Sequence, residues 1–458
     1  MIRRAAAALS LVMATACAPA APTEVARTVA FTGALPPMKT FAGHRAHAPD
    51  RSNRAIARDF LDLSFRLESG RTLPVLTRFE GPITVRAAGP LPPGLSTDLD
   101  RLLGRLRDEA GLDIDRVAPD APAAVNIEVV SRAQLQRAVP QAACFVVPRL
   151  SSWEEFKRKR RSPEVDWTTL TTRERMAIFI PRDVSPQEVR DCLHEELAQA
   201  LGPLNDLYRL TDSVFNDDNF HTVLTGFDML ILRMTYAPEL HSGMTRAQVA
   251  AALPRVLARL NPAGTGLRTA APSDSPRDWI DAVEGALSPQ DSTGRRLDQA
   301  RRAVTLARKQ GWHDNRMAFA LFAQGRLSLG SDPELALRSF LEAGAIYESA
   351  PDTAIHAAHV AMQLAAFALS SGQAETAIRI VDTHAEAVAE AENAALLSSL
   401  LMVKAEALAL LRRDAEARVV RQEALGWARY GFGSDAEVRE RAGEIAALNP
   451  LNRPEART

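Results

Sequence analysis

Between Asn53 and about Met244 the apolar positions switch repeatedly between a helical and an alternating period. Ser52-Asn53 can cap a helix in which Ile56, Phe60, Leu61 and Phe65 recur at helical spacing, with Gly70 as its stop. Pro82 to Val85 reads as a strand. Ser96 opens a helix with Leu99, Leu102, Leu103, Leu106 and Ala110 on one face, ending at Gly111. Val125, Ile127 and Val129 alternate as a strand, and Phe145–Val147 and Ala177–Ile180 are short apolar runs of the same kind. Pro186 and Gln187 start a further helix that carries Cys192. Helices and strands interleave, which predicts an α+β or α/β domain.

The second half has one period only. Thr245 and Gln248 form a capping box for a helix through Leu260, and a Pro/Gly/Ser/Thr-dense stretch from Asn261 to Arg277 reads as a linker. From Leu297 to Ala447 the chain is rich in Ala and Leu at helical spacing. Three openings echo one another: D-P-E-L-A-L-R to Arg338, Q-A-E-T-A-I-R to Arg379, and D-A-E-A-R to Arg418. The recurring Ala336, Ala377 and Ala417 are about 41 residues apart, a helix-turn-helix repeat that resembles the tetratricopeptide family but exceeds its roughly 34-residue unit. Such units bury a face by stacking and leave a concave surface suited to peptides or partner domains. A plain helical bundle is the other reading. His356 and His359 are expected as a helix-surface pair without a metal.

The N-terminus is a targeting segment. Arg3 and Arg4 precede an apolar run from Ala5 to Ala16 that is too short to span a bilayer, and Cys17 follows. Ala16-Cys17 resembles a bacterial lipoprotein box, with lipid on the Cys17 thiol, although Ala14 stands where Leu is usual. Ala14-Thr15-Ala16 alternatively suits ordinary signal peptidase. The Ala-, Pro- and Thr-rich residues 18–51 read as a flexible tether.

Composition narrows the classes. Lys plus Arg is 55 against 56 Asp plus Glu, which argues against a nucleic-acid partner. Loss of the leader takes the formal charge from −1 to −3. The cations Lys157-Arg158-Lys159-Arg160-Arg161 read as a solvated loop diluted by Glu154, Glu155 and Glu164. Three cysteines exclude a disulfide framework. Outside the cytoplasm Cys144 and Cys192 invite pairing, which would contribute roughly 4 kcal/mol in the chain-entropy model.

The candidate chemistry lies in C-L-H-E-E-L-A-Q-A-L-G-P-L-N-D, from Cys192 to Asp206. His194-Glu195 begins a zincin motif, but its second His position holds Ala198. Shifted by one, Glu195-Glu196-x-x-Gln199-x-x-Gly202-x-x-Asn205 resembles the metzincin spacing with all three His positions replaced. That resemblance puts Glu196 at the water-activating position and Gly202 at the turn before the third ligand. Asp212 to Asn216 is similar to the clan's Met turn, with Phe215 for Met, and Leu224-Thr225-x-x-Asp228 to the last helix of a matrixin-like domain.

With Phe60-Leu61-x-Leu63-x-Phe65, Arg78-Phe79-Glu80-Gly81-Pro82 and Glu109-Ala110-Gly111, these residues resemble the proteobacterial secreted family catalogued as domain of unknown function 2927. His194 stands where that family has Arg, and the family supplies no activity to transfer. Glu195, Gln199 and Asn205 offer oxygen and amide ligands, poor for zinc and weak for calcium or magnesium unless Asp206, Asp212, Asp217 or Asp218 converge on them. No resident metal or cofactor is expected, and zinc or calcium would need rescue ligands such as His194 or His221.

The expectation is therefore a signal with a lipidated Cys17 over 1–17, a tether over 18–51, and a metzincin-like (zincin-like) α+β domain over 52–245. A helix and linker over 246–290 lead to an all-α tetratricopeptide-like helical repeat domain over 291–448 and a tail over 449–458. Such a chain would be a periplasmic lipoprotein, membrane-bound through lipid alone, that binds an envelope protein or peptide. The alternative is a soluble or anchored metal-dependent hydrolase with Glu196 as general base.

Overall fold

The computed structural model describes residues 33–43, 47–140, 142–268 and 273–452. Cys17 and the leader lie outside them. The first half is a five-stranded sheet, built from β1 (Ile83–Ala88), β2 (Ile114–Arg116), β3 (Val125–Val130), β4 (Phe145–Pro148) and β5 (Met176–Pro181), in the order β2-β1-β3-β5-β4. All neighbours are parallel except β4, which runs antiparallel to β5 with Val146 opposite Ile178. The central strands are covered on both faces, so β5 is a continuous apolar run and β3, although Asn126 and Glu128 alternate with its apolar residues, is buried everywhere but at Glu128.

One face packs against α2 (Leu95–Ala110), α5 (Pro186–Leu201) and α6 (Gly226–Thr235). With them are α1 (Asn53–Phe65) and α7 (Arg246–Leu260), which lie against each other in the same core. The other face carries a smaller core in which Trp153, Phe156 and Phe179 stack under α3 (Arg132–Ala138) and α4 (Trp153–Lys159).

Three local expectations need correction. α1 ends at Phe65 because residues 66–72 turn back as a narrow loop. There Gly70 takes φ 80° and Leu67 N donates to Arg71 O. The cations from Lys157 onward are the last turn of α4 and its continuation, not a free loop. Lys159 pairs with Glu155 and Glu164, and cations at a helix C-terminus suit its dipole. Residues 33–43, expected to be flexible, lie against folded helices. Among those is α15 (Asp414–Gly431), where Lys39 N donates to Gly426 O and Phe41 stacks on Trp427 with centroids 4.4 Å apart.

The second half is all helix. It comprises α8 (Arg277–Leu287), α9 (Thr293–Lys309), α10 (Asn315–Ser328), α11 (Pro333–Ser349), α12 (Ala354–Ser370), α13 (Ala374–Glu390), α14 (Ala394–Leu410), α15 and α16 (Asp435–Ala446). Each packs on the next through short connections, the helical-repeat-like order anticipated from the echoes. Ala336, Ala377 and Ala417 are all buried at the same place, the fourth residue of α11, α13 and α15.

The two halves share one joint. Phe220, on the loop after α5, inserts among Phe319 and Phe322 of α10 and His356 and His359 of α12, stacking on His359 at 4.4 Å. The two histidines are thus interface residues, not a surface pair. Asp218 accepts from Phe220 N and lies 3.0 Å from His356 Nε2, while Asn315 at the start of α10 donates to Tyr208 O. At the start of α14, Ala395 N donates to Gln187 Oε1 and Arg190 binds Glu392. The N-terminal ends of α10, α12 and α14 therefore face oxygen atoms of the α/β half, the sense their dipoles favour.

Phe220→Ala should remove the central apolar contact of this joint and cost about 3–5 kcal/mol. Scanning calorimetry should then resolve two transitions. A single transition at the wild-type midpoint would show that the plug does not hold the halves together.

Candidate functional site

The site is organised by α5. Ser185 caps its start by accepting from Glu188 N at 3.1 Å, and Pro186 occupies the first turn, where a missing N–H costs nothing. Its far end is held by Arg173, 3% exposed, whose guanidinium donates to the carbonyls of Gln199 and Gly202 and to Thr77 Oγ1. Burial pushes the Arg173 pKa down to about 10, so it stays charged at neutral pH and satisfies carbonyls that the helix end leaves open. Gly202 has φ −162° and makes no left-handed turn; a Cβ there would stand 3.1 Å from Thr235 Oγ1 on α6. Close helix approach, not a ligand-directing turn, requires that glycine.

Among the candidate carboxylates and imidazoles, the structure brings Glu195 and Glu196 together. Among the described residues, Cys144, Glu195 and Glu196 are the one group of potential metal ligands found within 4.8 Å of one another. Cys144 and Cys192 are disulfide-bonded, however, so that sulfur is no thiolate ligand. Glu196 is 4% exposed and its Oε2 has no hydrogen-bond partner. Burial first, then the charges of Glu195 and Glu68, hold its carboxyl well above the usual range. Burial, Glu68 and Asp217 likewise push Glu195 up to about 7.

The remaining candidates are engaged elsewhere. Gln199 is buried, and the Asn205 amide donates to Asp62 O at 3.1 Å, tying the chain after α5 to α1. His194 Nδ1 accepts from Leu224 N at 3.0 Å, and burial and Arg190 keep its imidazole neutral. His221 lies 3.0 Å through Nε2 from Thr211 O and is pushed down to about 4, by burial and then by His356. Neither histidine rescues the glutamates. Phe215 is fully buried beside Asp228, whose carboxylate accepts from Ser213 Oγ, Val214 N and Thr225 N.

The four aspartates divide. Asp212 pairs with Arg51 and Asp218 with His356, whereas Asp206 and Asp217 face a cleft of about 220 Å³. Glu68, Tyr208 and Glu284 line it too. Asp206 hydrogen-bonds Glu68 and its carboxyl is held well above normal, mainly by burial. Tyr208 donates to Asp217 at 2.8 Å, yet burial still pushes Asp217 up to about 6. Glu68 lies on the loop after α1 and Glu284 on α8, with no motif linking either to α5. Arg209, bound to Asp59 and Asp62 at 2.8 Å each, anchors the intervening segment. These groups can hold protons near neutral pH. They offer no nitrogen donor to a metal.

Residues 53–255 match a family described as "Protein of unknown function (DUF2927)", a little under half of the chain. No curated protein matches the chain at a significant level.

The buried carboxyls make stability depend on pH. Glu195 at about 7 and Asp191, pushed by burial to about 8, keep protons that the unfolded chain releases near pH 4. Stability from them is present at low pH and is lost as pH rises through those values. His221 at about 4 and His359 at about 3 act in the opposite sense, but only below about 6.5. The melting temperature should therefore fall between pH 6.5 and 8, and Glu195→Gln or Asp191→Asn should flatten the slope. A midpoint that rises over this interval in the wild type would contradict the assignment.

Proposed function

We propose that this protein is a cell-envelope lipoprotein, lipidated at Cys17, in which a metzincin-like domain without a catalytic metal centre is joined to a tetratricopeptide-like array that binds a protein partner. The observation that carries the non-catalytic reading is the state of the three ligand positions. Glu195, Gln199 and Asn205 supply no imidazole, the Asn205 amide is committed to Asp62, and Glu196 is buried beside a disulfide. A water-activating base needs a metal-bound water within reach, and this helix face does not assemble one.

The location of a partner follows from which array surfaces are already used. The N-terminal ends of α10, α12 and α14 meet the α/β half, and Phe220 fills the space between α10 and α12. Elsewhere α14, α15 and α16 line a cavity of about 540 Å³ with Met402, Leu425 and Ile445 beside Glu406, Arg412 and Arg421. An apolar side chain on an extended segment, flanked by charges, suits that lining. No helix among the described residues is long and apolar enough to cross a membrane.

Cross-linking and capture from native envelopes test the reading. Arg412→Ala with Arg421→Ala should lower recovery of the partner about tenfold, as expected when a binding hot spot is lost, while Glu196→Gln leaves it unchanged. Mass spectrometry should find a diacylglyceryl-modified Cys17 at the mature N-terminus. Stoichiometric zinc in the disulfide-bonded protein, with peptide hydrolysis lost in Glu196→Gln, would replace this reading by the hydrolase.

A further inference from the structure

Two sulfurs and two carboxylates converge at one point of the fold. Cys144 lies just before β4, while Cys192, Glu195 and Glu196 lie on α5. Cys192 precedes the two glutamates by three and four residues, a spacing that puts all three on one side of a helix. The Cys144 sulfur and one oxygen each of Glu195 and Glu196 lie within 4.8 Å of one another, and the Cys192 sulfur, outside that group, is bonded to the Cys144 sulfur. Glu196 is almost wholly buried, and its Oε2 has no donor to accept from. An orphaned buried carboxyl oxygen is a group that a bound ion can satisfy.

We propose that the Cys144–Cys192 disulfide locks a thiolate–carboxylate metal site, and that on reduction Cys144, Cys192, Glu195 and Glu196 bind one divalent ion of the zinc class. While the bridge is closed, only the two carboxylates are available, and such a pair is a weak site. Once it opens, the donor set has two soft sulfurs and two oxygens. Thiolates favour zinc over calcium or magnesium, and four donors can complete a tetrahedral shell. This concerns the reduced protein alone and does not depend on the partner-binding role proposed above.

The exchange balances with a dithiol reductant. Its thiolate attacks the Cys144 sulfur, since Cys144 is half-buried while Cys192 is 3% exposed. The S–S bond breaks and Cys192 leaves as thiolate, with a mixed disulfide on Cys144. The reductant's second thiol then attacks its own bound sulfur, which closes the reductant's disulfide and frees Cys144. Two electrons and two protons pass from the dithiol to the bridge. Zinc binding then releases the thiol protons, with any that the glutamates hold.

The test uses the full mature chain, purified with the bridge intact, beside a portion reduced by a phosphine and desalted without air. Thiol titration establishes that Cys144 and Cys192 are free, and circular dichroism that the fold is kept. Cobalt(II) and zinc are the probes. The reduced chain should bind about one ion, with near-ultraviolet thiolate-to-cobalt absorption, and the oxidised chain should show no such band. Glu196→Gln, which leaves the bridge in place, should weaken zinc binding by the reduced chain at least tenfold, while zinc should raise the melting temperature of the reduced wild type only. Equal cobalt binding in both redox states, or reduced-state affinity unchanged in Glu196→Gln, overturns the proposal. Were the reduced chain to lose its fold, failure of zinc to restore the melting transition overturns it equally.

Discussion

The segment that leaves α5 has to satisfy two bodies at once, and the rest of the molecule is arranged around that demand. On one side Arg209 is buried between Asp59 and Asp62, and the Asn205 amide reaches Asp62 O. On the other, Asp218 and Phe220 enter the helical half. A buried guanidinium without its carboxylates costs several kcal/mol, and so does an apolar ring left in water, so neither attachment is released without loss. The path between them is fixed to within a few residues. Asn219 takes φ 58° to make the final turn, with the Asp218 side chain receiving Phe220 N.

This constraint explains the use made of Asn205, His194 and His221. A catalytic centre needs the segment after the motif helix to bring a ligand back toward it. Here the same segment is drawn outward to α1 and to α10 and α12. Asn205 becomes a strut, and the imidazoles of His194 and His221 become receivers or donors for backbone groups of the loops beside them.

Much of the framework was legible in the sequence. α2 and α5 carry uninterrupted apolar faces with clear stop and start residues, β3 shows the alternation of a strand, and β5 is apolar over a length too short for a helix. The pairing of Cys144 with Cys192 could be inferred from compartment and number. α3 and α4 were not legible, because seven-residue helices offer only two turns of period, and in α4 a cation run masks Trp153 and Phe156. The order in residues 33–43 was hidden for another reason: its contacts come from scattered single residues, Leu35, Lys39 and Phe41, and from the Pro36 carbonyl, none of which stands out from a Pro- and Ala-rich stretch. His356 and His359 read as surface residues since their neighbours on α12 are mostly alanine. Their burial depends on Phe220, 136 residues earlier for His356.

The candidate site divides in the same way. The E-E-x-x-Q string is local and could be read, whereas the cleft beside it is assembled from three distant pieces. Glu68 follows α1, Asp206 and Asp217 follow α5, and Glu284 comes from α8 in the other half. Nothing within any one piece marks it as acidic beyond the ordinary. Burial first, and then repulsion among them, holds the Asp206 and Asp217 carboxyls above the usual range. Since Glu284 belongs to the helical half and Asp217 to the segment after α5, the charge held in this cleft acts across the joint as well as within it. Protonation relieves that repulsion and so favours the docked arrangement. Phe220 and Asp218 give the joint its specificity, and the acidic cleft makes its strength respond to protons.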